Sequence, residues 1–298
     1  MLIFINDYLI HGIVIGSIYA LGAVGVSLVF GNLRFANFAH GSLMTIGAYF
    51  ALAIMHNTGL PIMLALPLAM VLTGLLCVGL DKAFIRPFRA SATIIPLIAS
   101  FGLALMIQSA VQMIWGPGMH AYFPGQITRP VEIIEGLRVS PRHMWMVAAA
   151  LLFMLALHLL LTRTKIGKAM RAMADNAELA RLTGIDTERV IVATWLIAGA
   201  LACAAGVMLG LDTQLRPMMG FELLLPIFAA AIVGGIGQPY GAMAGGLLIG
   251  IAQELVSYSW LGTGPLISPS YKEGVAFAIM VLVLLIRPSG IFRGRVYS

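Results

Sequence analysis

The chain has 298 residues, of which 60% are hydrophobic and 10% charged, with a formal net charge of +6. Soluble domains carry about 25% charged residues to cover their water-facing surface, so a soluble enzyme, a nucleic-acid binder and a disordered linker are all excluded. This is the composition of a polytopic membrane protein.

The N-terminal stretch MLIFINDYLIHG lacks a basic segment and carries Asp7, so it reads as a retained membrane helix and not as a cleaved signal peptide. A helix needs about 20 apolar residues to cross the hydrocarbon core. Candidate spans are 8–30, 40–55, 61–80, 92–115, 143–161, 190–211, 221–236, 240–260 and 271–286. They are continuous apolar runs without the alternation of barrel strands, which excludes a transmembrane barrel. The fold class is therefore all-α: one polytopic membrane helix bundle of 8–9 transmembrane helices over residues 1–298. Two stretches, 40–55 and 221–236, are short, and each is a candidate broken or re-entrant element.

Two loops interrupt the apolar pattern. The first, 116–142, is rich in Pro and Gly, and the alternation in VEIIEGLRV predicts a short hairpin. The second, 162–189, is the most polar stretch of the chain. With nine spans and that loop cytoplasmic, Arg34, Lys82, Arg86, Arg89, Arg163, Lys165, Lys168, Arg171, Arg181, Arg189, Arg287, Arg293 and Arg295 lie inside, 13 of the 18 Lys and Arg. Arg129, Arg138, Arg142, Arg216 and Lys272 lie outside. The positive-inside rule then places the N-terminus outside and the C-terminus in the cytoplasm.

Small residues recur at helical spacing at Gly12 and Gly16, Gly206 and Gly210, and Gly241, Gly245 or Gly246, and Gly250. Tight packing within the chain is their ordinary meaning. Cys77 and Cys203 fall inside apolar runs and read as small packing residues. Two regions resemble one another: GAVGVSLVFGNLRFANFAHGSLMTIGAY and FAAAIVGGIGQPYGAMAGGLLIG. Each is a helix, a short break and a Gly/Ala-rich helix, and paired interruptions of this kind point to a transport site.

Few polar groups lie within the spans. Asn37 and His40 sit at the inner break, while Asp212, Glu222 and Glu254 sit toward outer helix ends. Intramembrane ionisable groups are functional candidates, although helix capping or interfacial solvation equally accounts for residues near boundaries. His11 and His158 stand alone on apolar faces and receive no role. No chain of carboxylates crosses the bundle centre, which weighs against a proton-driven pump. HExxH and GxSxG are absent, as is a Walker A: Gly167-Lys168 is followed by Ala169, and Thr162 occupies the upstream glycine position. No catalytic or metal site is expected, and any ATP is bound by another chain.

In the polar loop, residues 168–183 predict a helix with Ala169, Met170, Met173, Ala177, Ala180 and Leu182 on its apolar side. Gly184 ends it, and Asp186 and Thr187 cap the next membrane helix. Taken alone, such a helix rests on lipid headgroups or docks to a partner. Its Glu178-Leu179-Ala180-x-x-x-Gly184 resembles the EAA-x-x-x-G core of the coupling loop in ABC importer permeases, with Leu179 in place of the first alanine and without the I-x-L-P continuation. NDYLIHGIVIGSIYALGAVGVSLVFGNLRFANFAHGSLMTIGAY resembles the N-terminal signature of the branched-chain amino acid permeases of LivH type. GKAMRAMADNAELARLTGI, FELLLPIFAAAIVGGIGQPYGAMAGGLLIG and LLIRPSGIF are similar to that family too, in family order over essentially the whole chain.

The resemblance implies one permease subunit of a bacterial inner-membrane importer, paired with a LivM-type second permease. Two cytoplasmic ATPase subunits holding ATP and Mg, and an extracytoplasmic substrate-binding protein, complete the assembly. This chain itself then binds no cofactor. The motif assigns ATPase coupling to Ala177, Glu178, Ala180 and Gly184, with Arg171 and Ala172 of the GKAMRA block beside them. It nominates Asn37, His40, Gly234, Gly235 and Gly237 for the translocation pathway. Leucine, isoleucine, valine or a related small solute is the expected cargo. A stand-alone secondary transporter or channel is the alternative.

Overall fold

The computed structural model describes residues 8–89, 91–125, 130–134, 137–258, 268 and 271–292. At the centre lie α1 (Ile10–Leu33), α2 (Ala39–Thr58) and α8 (Thr187–Asp212), all with long buried stretches. Around them stand α3 (Ile62–Leu80), α4 (Ile94–Trp115) and α5 (Pro141–Arg163). α9 (Met219–Glu222), α10 (Leu224–Gly234), α11 (Pro239–Val256) and α12 (Lys272–Ile286) complete the bundle. Peripheral helices turn Leu68, Leu72, Leu75, Ile98, Leu152, Leu155 and Leu282 outward. A surface this apolar matches lipid and not water.

Among the described residues, five spans are long and apolar enough to cross a membrane: Ile10–Leu33, Ile62–Phe88, Ile94–Trp115, Pro141–Arg163 and Thr187–Asp212. The protein is thus a multi-pass, all-α membrane bundle. The two short candidates behave differently. α2 is a continuous helix of 20 residues. The 221–236 stretch is broken at Leu223, leaving α10 with 11 residues. Even taken together, Met219–Gly234 rises only about 24 Å at 1.5 Å per residue, against a hydrocarbon core of about 30 Å.

Glycine sets the closest approaches. A Cβ built on Gly246 would stand 2.4 Å from Ala20 Cα, and one on Gly250 would stand 2.3 Å from Gly16 Cα. α1 and α11 therefore run antiparallel in backbone contact, and the small-residue stripes serve packing within the chain. In the 116–142 loop, β1 (Val131–Ile134) and β2 (Leu137–Val139) pair antiparallel, as the alternation predicts. The Tyr122 hydroxyl ties this loop to α2 by donating to the Ala48 carbonyl at 2.9 Å.

Two short helices, α6 (Lys165–Asp175) and α7 (Ala177–Leu182), form an arm on one face of the bundle. The single helix expected over 168–183 is divided at Asn176, whose backbone is extended (φ −155°, ψ 107°). Its Oδ1 accepts the Glu178 and Leu179 N–H groups, each at 3.0 Å, so asparagine starts a new helix by capping it. At the far end Gly184 takes φ +83°, with its N–H on the Arg181 carbonyl and the Ile185 N–H on the Ala180 carbonyl. That is a Schellman stop. Asp186 then caps α8 by accepting the Arg189 N–H.

The arm face also gathers Arg34, Lys82, Arg86, Arg89, Arg163, Arg189 and Arg287 at helix ends, whereas Arg138, Arg142, Arg216 and Lys272 lie at the far face. Arg89 pairs with the buried Asp81 and, at 3.1 Å, with Glu188. This ties the end of α3 to the start of α8. Arg293 and Arg295 lie outside the described residues, as does Arg129.

Candidate translocation site and coupling arm

After α1 the chain reverses at Arg34, which takes a left-handed conformation (φ 58°, ψ 30°), and re-enters the bundle. Phe35 and Asn37 are only 2% and 1% exposed. Irregular backbone at membrane depth is tolerated where protein groups satisfy it. Here Asn37 Oδ1 accepts the Ala39 N–H at 3.1 Å, and the Phe38 N–H donates to Ser100 Oγ at 3.1 Å. His40 follows, fully buried beside Gly25: a Cβ on Gly25 would stand 2.5 Å from its Cε1. Gly25 lies within the middle third of α1, so His40 sits deep in the membrane-spanning region.

A second discontinuity meets the first. Gly220 of α9 presses on Gly41 of α2, and its N–H donates to Thr45 Oγ1 at 3.1 Å. The Phe38 and Phe228 rings pack at 5.4 Å across the same junction. The sequence likens the 34–38 break to the Gly234–Gly237 turn; in the structure Phe38 and Gly41, after the break, meet α10 and α9, while Gly31, just before it, touches Gly237.

The second break also floors a cavity of about 520 Å³ on the far face, where Met219 and Leu223 contribute lining. Its walls carry Asp212, Arg216, Glu222, Glu254, Lys272 and Glu273, with Tyr19 and Gln253 deeper in. Glu254, nearly buried, receives both its hydrogen bonds from Lys272 Nζ, at 2.7 and 2.8 Å. Arg216 pairs with Glu222 at 2.9 Å, and Asp212 faces His143 Nε2 at 3.3 Å. None of these three carboxylates caps a helix N-terminus. They converge on one polar hollow that presents both signs of charge.

A smaller cavity of about 170 Å³ opens at the arm face, lined by Ser27, Gly31, Asn32, Arg171, Asp175, Gly237 and Gln238. On α1 the two hollows are separated by the segment between Tyr19 and Ser27, about 12 Å of helix. Residues 20–26 are all buried there, against α10, α11 and His40. Of the nominated glycines, Gly237 lines the smaller cavity and touches Gly31, with φ +80°. Gly234 packs on Gly241, and Gly235 on Gly290. Asn37 and His40 therefore occupy one place, and these glycines another.

The arm is anchored by Met170 and Met173, which are 1% and 4% exposed. Ala172 and Ala177 are half-buried, and Ala180 is buried. Arg171, Glu178 and Gly184 are exposed. Leu182 does not join the packed side: it is 84% exposed, and Leu179 beside it is 58% exposed. The break at Asn176 rotates α7 out of the phase a continuous helix would have kept, so both leucines face outward. Sequence reasoning also passed over Arg216, Lys272, Tyr19 and Gln253. Lys272 meets Glu254 across 18 residues of chain, which leaves no local signature.

The family described as branched-chain amino acid transport system / permease component matches residues 8–284. The chain belongs to that family. Among its relatives, the high-affinity branched-chain amino acid transport system permease protein BraD of Pseudomonas aeruginosa is 33% identical, over 95% of this chain and 94% of its own. LivH of Escherichia coli is 35% identical over 94% and 93%. A probable LivH of Methanocaldococcus jannaschii is 32% identical over 94% and 90%. This branched-chain permease component therefore matches its relatives at nearly full length, and its arm and both breaks lie inside the matched region.

Proposed function

We propose that the chain is one permease subunit of an ATP-driven importer for leucine, isoleucine, valine or a related small solute in the bacterial inner membrane. The observation that carries this reading is the arm. A family of transport permeases matches nearly the whole chain, and α6–α7 docks on the bundle through methionines while presenting Glu178, Leu179 and Leu182 outward. Exposed leucines on a helix with a buried inner side are what a partner subunit covers. In this reading two ATPase subunits, holding ATP and Mg, grip the arm. A LivM-type permease pairs with this chain, and a binding protein delivers substrate.

The arm face is then cytoplasmic, in keeping with its basic residues, and the bundle crosses the bilayer with 8–9 segments, N-terminus outside. The larger cavity faces outward. A zwitterionic amino acid needs an acceptor for its ammonium and a donor for its carboxylate, and the cavity wall supplies Glu222 and Glu273 beside Arg216 and Lys272. Tightening of the partner subunits draws on the arm and tilts α5 and α8, to which it is joined at both ends. The buried partition between the hollows then opens toward one face at a time.

Proteoliposomes test this. The chain reconstituted with its second permease, ATPases and binding protein should take up radiolabelled leucine only with internal ATP, and the chain alone should be inert. ATP-independent flux through the chain alone would overturn the importer reading in favour of a stand-alone carrier or channel.

A further inference from the structure

His11, given no role by the sequence, does not stand alone. It lies on the first turn of α1, with its ring 5.6 Å from that of His143 at the start of α5. Asp212, the last residue of α8, brings Oδ1 to 3.3 Å from His143 Nε2. One donor atom from each of the three lies within 4.8 Å of the others, and all three residues are half-buried. The geometry points to a site for a divalent transition-metal ion at the far-face rim, with His11, His143 and Asp212 as ligands.

The chemistry selects the ion class. Two imidazoles and one carboxylate suit Zn²⁺ and its neighbours and are a poor set for Mg²⁺ or Ca²⁺, which take oxygen ligands. Zn–ligand bonds of about 2.0–2.1 Å place tetrahedral donors about 3.3 Å apart. His143 and Asp212 already stand at that separation. Binding would have to draw the His11 donor closer, from within 4.8 Å of the other two to about the same separation. His11 and Asp212 also line the large cavity, so the ion has a route in. The site would join α1 to α5 and α8, which are themselves tied here by Arg142 donating to the Leu211 carbonyl at 2.9 Å. It does not depend on which solute the protein carries.

The test uses the full chain in detergent, without a polyhistidine tag, stripped with chelator and titrated with Zn²⁺. Retained metal is counted by mass spectrometry after desalting, and Co²⁺ substitution reports the ligand field by its d–d absorption. We expect one saturable Zn²⁺ per chain. His11→Gln and His143→Gln should each weaken binding about tenfold or more, since even outer-shell losses cost that much. His158→Gln, at the other face, should leave it unchanged. Absence of retained Zn²⁺, or retention unaffected by both ligand substitutions, would overturn the proposal. If His143→Gln does not yield monodisperse protein, His11→Gln decides alone, because it leaves the His143–Asp212 contact in place.

Discussion

Gly41 and Gly220 stand backbone to backbone: a Cβ on Gly220 would lie 2.1 Å from the Gly41 carbonyl oxygen, and one on Gly41 would lie 2.4 Å from that of Gly220. The start of α2 and the short α9, nearly 180 residues apart in the chain, are locked together at this point. Neither position has room for a side chain, because the atom met is backbone and cannot rotate aside.

Gly220→Val should therefore destabilise the bundle by about 1–3 kcal/mol, the usual cost of overpacking. Gly41→Ala should act in the same direction. Gly102→Ala, where a Cβ in the middle of α4 meets nothing within 4 Å, should not lower the melting temperature and should raise it slightly, alanine being the better helix former. Thermal unfolding of the detergent-solubilised chain checks all three.

Leu182 and Met173 predict opposite phenotypes on one arm. Leu182→Glu should leave folding intact while co-purification with ATPase subunits falls about tenfold or more, as for a central interface anchor. Met173→Glu should instead lower thermal stability, because it buries a charge without a partner. Equal stability losses in both variants would count against the exposed-leucine interface.

The arm's exit offers a separate test. Gly184 holds φ +83°, a conformation costing a branched residue about 1–2 kcal/mol. Gly184→Val and Glu178→Lys should reduce ATP-dependent uptake with normal amounts of protein in the membrane. Wild-type uptake in both would remove the coupling role from these residues.

The buried pair across the large cavity is asymmetric: the Glu254 side chain is 4% exposed and that of Lys272 is 30% exposed. Lys272→Met strands a buried carboxylate and should cost about 3–5 kcal/mol. Glu254→Gln strands an ammonium that can reach water, and should cost less. Combining the two should recover part of the loss, which a double-mutant cycle of unfolding measurements reads directly.

Much of the architecture was legible in the sequence because lipid enforces long apolar runs and glycine marks close helix contacts. The small-residue stripes through Gly16 and Gly250, the hairpin in VEIIEGLRV and the stop at Gly184 could be read locally, whereas the pairing of Gly16 with Gly250 could not. The site was less legible. Asp212, Glu222 and Glu254 look like ordinary boundary residues until tertiary packing brings them together with Arg216 and Lys272. The interruption at Leu223 had a signal in Pro226, which has no N–H to offer the Glu222 carbonyl and ends the preceding turn. Asn176 interrupts what the sequence presents as one apolar stripe from Ala169 to Leu182, so the pattern reads as one helix where there are two.

Gly167 has a mechanical consequence. A Cβ there would stand 2.2 Å from the Leu160 carbonyl oxygen, so α6 sits against the end of α5 without slack. A joint with no free play passes torque instead of absorbing it. α5 has 23 residues and acts as a rod about 34 Å long. Turning that rod by about 6° at its inner pivot sweeps its opposite tip through about 3.6 Å, using the same rise per residue. The tip carries His143, which stands 3.3 Å from Asp212. In the importer proposed above, a tilt of this size imposed at the arm would suffice to make or break the His143–Asp212 contact at the far end of α5.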